Sequence, residues 1–193
     1  MTAPRYWFVS DTHFDHARVI EYCRRPFANV DEMNETLITN WNATVGARDF
    51  VYLLGDVALT KADRALRFVT RLKGRKHLVF GNHDKPNRKE YERSGQFEWC
   101  KDLAEIKIPD PRFTQSDPLR ITLCHFPLIS WNQSGRGAWH LHGHCHGTLP
   151  TDVRSLRLDV GVDVHGYAPV SLERVAEIMA TRAFKPVDHH GAD

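Results

Sequence analysis

Five short polar pieces of this chain have residue types and spacing that could do chemistry: Asp11-Thr12-His13, Gly55-Asp56, Gly81-Asn82-His83-Asp84, Cys124-His125 and Gly143-His144-Cys145-His146. Imidazole and carboxylate are donors that suit zinc, iron and manganese, and a carboxylate has two oxygens with which to bridge a pair of ions. Side chains alternate along an extended stretch, so Asp11 and His13 can reach one ion while Thr12 points back. His144 and His146 stand in the same relation around Cys145. Gly55, Gly81 and Gly143 beside these residues permit tight turns and close backbone approach. Taken singly, a DxH or GD pair is common, and His83 or His125 alone would more often be a satisfied structural histidine. The joint order carries the signal, because each piece directly follows an apolar run.

The last piece belongs to "WHLHGHCHG", in which His140, His142, His144 and His146 fall at every second position. Strand geometry would crowd several of these imidazoles onto one face.

The elements that must position these residues follow from hydrophobic periodicity. "RYWFVS", "DFVYLLGD" and "KHLVFGNHD" read as buried strands that stop at glycine or polar residues. Between them, Asp31 to Val45 places Met33, Leu37, Ile38, Trp41 and Val45 at helical spacing behind Asp31 as N-cap. "TKADRALRFVTRLKG" opens with the capping pair Thr60 and Asp63 and should run as a helix to Gly74. This alternation argues for an α/β layered sheet. The second half reads differently, as the strands "LAEIKI", "LRITLCH", "AWHLHGH" and "SLRLDVG" with little helix between them, then the helix "SLERVAEIMATR". Sheet proteins place ligand sites where loops converge at the carboxyl ends of strands, which is where the polar pieces fall.

The composition sets the frame. With 193 residues, one domain over 1–185 and a flexible tail over 186–193 are expected, and His189-His190 in the tail are expected to be inert. A net charge of +2 gives no argument for nucleic acid or an anionic membrane as partner. No stretch approaches the ~20 apolar residues of a membrane helix, and the N-terminus does not resemble a signal peptide. The four cysteines lack any CxxC pair and read as reduced thiols, so a cytoplasmic protein is expected.

In order and spacing the pieces resemble the signature of the calcineurin-like metallophosphoesterase superfamily: DxH, GD, GNH[DE], H and GHxH. "SDTHFDHARVI" with "RPF", and "NWNATV" followed by "DFVYLLGDVAL", are similar to a group of small bacterial and phage phosphoesterases within it. The resemblance implies a four-layer sandwich of two mixed β-sheets flanked by helices. It implies two divalent ions, manganese first and iron, zinc, cobalt or nickel as alternatives. Asp11, His13 and His146 would hold the first ion, Asn82, His125 and His144 the second, and Asp56 would bridge them. His140 and His142 lie outside the motif and are expected to support the site by hydrogen bonding or to pack structurally.

By the same resemblance, the ions would clamp a phosphate and activate water for in-line attack, and His83 would be the general acid. Asp84 would orient His83, or serve only as a turn residue. Phe14, His16, Trp131 and Arg136 are candidate substrate contacts: Trp131 or Trp139 could stack on a base and Arg136 could meet a phosphate. Alternatively, the tryptophans are core and His16 starts a helix. Asp159 and Asp163 receive no chemistry. The expected function is a binuclear phosphoesterase, first a phosphodiesterase on a small nucleotide-like substrate. A phosphomonoesterase or nucleotide pyrophosphohydrolase is the alternative, and a non-catalytic binding scaffold ranks below both.

Overall fold

A computed structural model describes residues 3–109 and 118–185. The proposed tail over 186–193 lies outside the described residues. Two sheets form the frame. In the first, β4 (Cys100–Lys101), β3 (Arg75–Val79), β2 (Phe50–Leu53) and β1 (Tyr6–Val9) run parallel, and β9 (Val170–Ser171) closes the edge antiparallel to β1. In the second, β5 (Leu103–Ile108) pairs antiparallel with β6 (Leu119–Cys124), which continues parallel into β7 (Trp139–His142) and β8 (Arg157–Asp159). Both sheets are therefore mixed, with helices flanking them, as expected.

Strand alternation splits the core in two. Trp7, Val9, Val51, Leu53 and Leu78 pack with Val19 of α1 (Ala17–Tyr22), Met33, Leu37, Ile38 and Trp41 of α2 (Val30–Thr44), and Ala65 and Val69 of α3 (Ala62–Thr70). Tyr91 of α4 (Arg88–Arg93) joins the same layer. On the other face, Phe8, Tyr52, Leu54 and Val79 meet Ile121, Leu123, Leu141 and Leu158 from the second sheet, together with Leu172, Val175 and Met179 of α5 (Leu172–Ala180). A buried one-residue change of register would exchange these faces, so the pairing is strongly specified.

Helix starts differ from expectation at two places. Asn29, not Asp31, caps α2: its side chain accepts from the Glu32 amide at 2.9 Å while Glu32 reaches back to the Ala28 amide at 2.7 Å. The reciprocal pair secures two free donors two residues earlier than Asp31 could. The Thr60–Asp63 box does not form; Lys61 occupies the N-cap without a side-chain bond, and α3 ends at Thr70, short of Gly74.

Register places the polar pieces together. Val9 pairs with Leu53, and Leu53 with Leu78, so Asp11, Asp56 and Asn82 leave the first sheet at one edge. Leu123 pairs with Leu141 in the second sheet, bringing out His125 and His144. A bridge between Ser10 and Gly161 ties the carboxyl ends of β1 and β8.

Candidate metal centre

The loops that carry the expected ligands are hydrogen-bonded to one another before any side chain is considered. Asp11 N–H donates to Gly55 O at 3.0 Å, His13 N–H to Asp56 O at 2.9 Å, and Gly143 N–H to His125 O at 3.0 Å. Such close approach excludes side chains at the crossing points. A Cβ on Gly143 would collide with Ser10 Oγ and the Asp11 carboxylate, and one on Gly55 would meet the Gly81 backbone at 2.5 Å.

Asp56 sits in the middle of what these loops present. Its Oδ2 is 3.5 Å from His13 Nε2 and 3.5 Å from His125 Nε2, and 4.0 Å from His83 Nε2. On one side, Asp11 Oδ1 lies 4.0 Å from His13 Nε2 and 3.9 Å from His146 Nε2. On the other, Asn82 Oδ1 lies 3.0 Å from both His125 Nε2 and His144 Nδ1. The other six expected ligands thus gather on the two sides of Asp56.

Three observations show that this donor set fits cations. His13 Nε2 is buried and has no hydrogen-bond partner. Burial first, and then the charge of His146, holds the His13 pKa well below its ordinary value, so its contacts with Asp11 and Asp56 are not ion pairs. His125 is likewise shifted down by burial, and its Nδ1 lies 2.7 Å from the Leu54 carbonyl, which can only accept. With Nδ1 donating there, Nε2 is left as an acceptor 3.0 Å from the Asn82 oxygen, and a cation could take a lone pair from each. Burial, opposed by His146 and reinforced by Asp56, raises the Asp11 carboxyl to about 7. A buried acid forced toward neutrality is what a divalent ion would reverse.

The backbone at these positions is strained. Asp11, His13, Asp56, His144 and His146 all have positive φ, between 47° and 70°. Side-chain-bearing residues adopt this region at a cost of about 1–2 kcal/mol each, and such strain concentrates where function requires it.

Behind these ligands stand residues whose part the sequence did not disclose. Asp163 Oδ2 accepts from His146 Nδ1 at 2.7 Å, and that bond, against the opposing effect of burial, raises His146 to about 10. Asp159 accepts from the amides of Gly147 and Gly161 and so shapes the turn after His146. Both are strand-end or turn residues by sequence, and no local pattern pairs them with a histidine elsewhere.

The other expected residues divide. His83 is 41% exposed in its side chain, its amide fixed to Asp56 Oδ1 at 2.9 Å, so its ring stands at the mouth of the cluster. Asp84 does not hold it. The fully buried Asp84 carboxylate instead accepts from the amides of Asp56, Val57 and Gly81 at 2.8–3.0 Å, locking two ligand loops together. Burial, partly offset by these bonds, lifts its pKa to about 7. His16 does lie at the mouth, its Nδ1 3.4 Å from His13 Nδ1, just before α1. Phe14 is completely buried and stacked on Phe68, so substrate cannot reach it. Trp131 donates to the Ala138 carbonyl and packs on His140, a structural role within its own loop. Arg136 lines a hollow with Arg120 and Leu119 at the amino end of β6, whereas His125 follows its carboxyl end, so it does not face the cluster. Phe126, not singled out by sequence, is 44% exposed and stands edge-on to both His125 and His144, with ring centroids 5.0 and 4.8 Å apart.

His140 and His142 are inside β7 and pack structurally. His140 accepts from Leu128 N–H at Nε2 and lies 3.1 Å from Thr122 O at Nδ1, while His142 bonds the Gly143 carbonyl.

The family model for calcineurin-like phosphoesterases matches residues 4–168. The chain belongs to that family. Among relatives, the uncharacterized protein MJ1445 of Methanocaldococcus jannaschii is 34% identical over 93% of both chains. The Gene 66 protein of Mycobacterium phage L5 is 32% identical over 83% of this chain and 87% of its own length. A solved structure, the protein of unknown function AQ665 from Aquifex aeolicus, superposes with a TM-score of 0.71 at 25% identity, over 91% of this chain and all of the other. As a calcineurin-like phosphoesterase the protein is a metal-dependent phosphoric ester hydrolase, and its Asp/His clusters can hold the metal. Among the described residues no helix is long and apolar enough to cross a membrane.

Proposed function

We propose that this calcineurin-like phosphoesterase uses two divalent cations sharing Asp56, and that it hydrolyses phosphodiesters of small nucleotide-like molecules. The carrying observation is the position of Asp56 Oδ2, equidistant from a partnerless His13 Nε2 and from His125 Nε2. In this reading Asp11, His13 and His146 form one donor set and Asn82, His125 and His144 the other. Bound cations would supply charge neutralisation on the phosphoryl group and an activated water. Manganese is the ion that the family resemblance puts first, and the mixed N/O set accepts iron, zinc, cobalt and nickel as well.

The chain's own residues do the rest. His83, on the solvent side of Asp56, holds a proton at its ring nitrogen and gives it to the leaving oxygen as the P–O bond breaks. Its amide bond to Asp56 keeps that ring beside the shared carboxylate. Asp84 acts through the backbone, fixing the Asp56 and Gly81 loops against each other. His16, beside His83, lies where it can meet a phosphate oxygen. The exposed face of Phe126 offers a flat apolar surface next to His144, which supports a substrate with an aromatic or base-like group. We read residues 1–185 as one domain acting in the cytoplasm.

Turnover of bis-aryl against mono-aryl phosphate in defined Mn²⁺, with metal content measured on the same samples, tests the assignment. Preference for the diester with two ions per chain is expected. A clear monoester preference would replace it with the phosphatase reading.

A further inference from the structure

The "RPF" stretch after α1 contains a buried charge with no place in the chemistry above. The side chain of Arg25 is wholly buried. Its Nε and Nη2 clamp the two oxygens of Asp163 at 2.8 Å each; Nη2 also donates to Asp11 O at 2.8 Å and Nη1 to Thr12 O at 3.2 Å. The same Asp163 carboxylate holds His146 Nδ1. One guanidinium therefore ties its own segment to the Asp11–His13 stretch and to Asp163, and through the Asp163 carboxylate it reaches His146.

Stability alone does not account for this arrangement. Taking an Arg–carboxylate pair out of water costs about as much as the pair returns, and apolar residues of the same volume commonly do as well. Nor is it a binding site of its own. Cys23, His146 and Asp163 are close enough to share a cation, but the Arg25 charge already occupies the Asp163 carboxylate. The planar fork is instead suited to fixing directions. Among the described residues the other donor set has no such device: His125 is held by the Leu54 carbonyl, and Asp84 acts on amides.

We propose that Arg25 is a positioning residue for the Asp11–His13–His146 half of the centre. It fixes the carbonyls of Asp11 and Thr12, and through Asp163 it aims His146 Nε2 at Asp11. The inference rests on the two-cation reading and adds that the two positions are held by different means, so one can be weakened without the other.

Mn²⁺ titration of the metal-free full-length chain, followed by calorimetry and electron paramagnetic resonance, tests this on wild type, Arg25→Met, Arg25→Lys and Asp163→Asn. Wild type should bind two ions and show an exchange-coupled spectrum. Arg25→Met should keep one ion at wild-type affinity and bind the other about 10- to 100-fold more weakly, with the spectrum of an isolated ion. Arg25→Lys should lie between, and combining Arg25→Met with Asp163→Asn should cost less than the sum of the two single losses, because the Arg25–Asp163 contact is removed in both. If Arg25→Met does not fold, Arg25→Lys decides by the same readout. Folded variants that retain both ions at wild-type affinity, or that lose both in parallel with a falling melting temperature, would overturn the inference. A wild-type chain that binds a single ion with no coupled spectrum brings down the two-cation reading and this inference with it.

Discussion

The stretch from Trp139 to Gly147 holds two pairs of histidines that the fold uses in opposite ways. His140 and His142 lie within β7 and are completely or almost completely buried, with ring nitrogens bonded to backbone groups. His144 and His146 lie past the strand end, at φ 70° and 47°, with ring nitrogens directed at Asn82, Asp163 and Asp11. Residue type and spacing are the same in both pairs. The end of the β-ladder separates them: inside it the chain's own amides and carbonyls satisfy an imidazole, and beyond it the turn aims the imidazole at carboxylates from other loops. Substitutions in the two pairs should therefore fail in different assays.

The largest effects belong to the far side of the strand end and the carboxylate it faces. Asp56→Asn should lower turnover on the order of 10³-fold or more, since under the proposed two-cation reading this carboxylate underwrites the several kcal/mol that metal ions supply. His144→Gly should also abolish most activity yet leave the metal-free melting temperature within a few degrees of wild type, because glycine adopts positive φ without strain. A drop in melting temperature as large as that of a core variant would show that the turn is built for stability. His83→Ala comes next. About 10²- to 10⁴-fold should be lost on alkyl esters, with a smaller loss on activated aryl esters and unchanged metal content. Equal losses on both ester types would remove His83 from the proton-transfer role.

On the near side of the strand end, His140→Gln should leave kcat close to wild type while stability falls by about 1–3 kcal/mol, the cost of unsatisfied buried groups at Leu128 and Thr122. The loss should depend on pH. Burial pulls the His140 pKa down to about 4 despite its backbone bonds. Unfolded, the imidazole titrates near its ordinary value of about 6.5, so the unfolded chain takes up the proton first. The stabilisation is thus complete above about pH 6.5 and declines as pH falls toward 4, by up to about 3 kcal/mol. Urea midpoints of wild type and variant should converge over that interval. Parallel curves would mean that His140 is hydrated and titrates freely.

The contrast also explains what could be read in advance. The long apolar strands and the five polar pieces were visible because each is a local pattern: a run of alternating or continuous hydrophobics ending in a fixed residue set. Short elements such as α1, β4 and β9 are too brief to show a period. The caps were misplaced by one or two residues because Asn29 and Asp31 are both good acceptors, and only the geometry of Glu32 chooses between them. The pairing of Arg25, in "RPF", with Asp163 was invisible for a stronger reason: it is a bond across 138 residues, and no local pattern announces it. Phe14, adjacent to His13, misled in the other direction. Nearness to a ligand along the chain predicted contact with substrate, but the bridge from Phe14 to Ala58 turns its ring into the helical core.

The smallest expected effect tests how far the site extends beyond the turn. Phe126 follows His125 directly, yet unlike Phe14 it remains exposed, edge-on to the rings of His125 and His144. An aromatic face so placed should contribute about 1 kcal/mol to binding a stacked ring, roughly fivefold in kcat/KM. Phe126→Ala should show that loss with a nucleoside or aryl diester and none with dimethyl phosphate, at unchanged metal content. Phe126→Leu, which keeps the apolar volume, separates stacking from simple burial: a variant as active as wild type on the aryl diester would mean that the surface excludes water and does not recognise a ring.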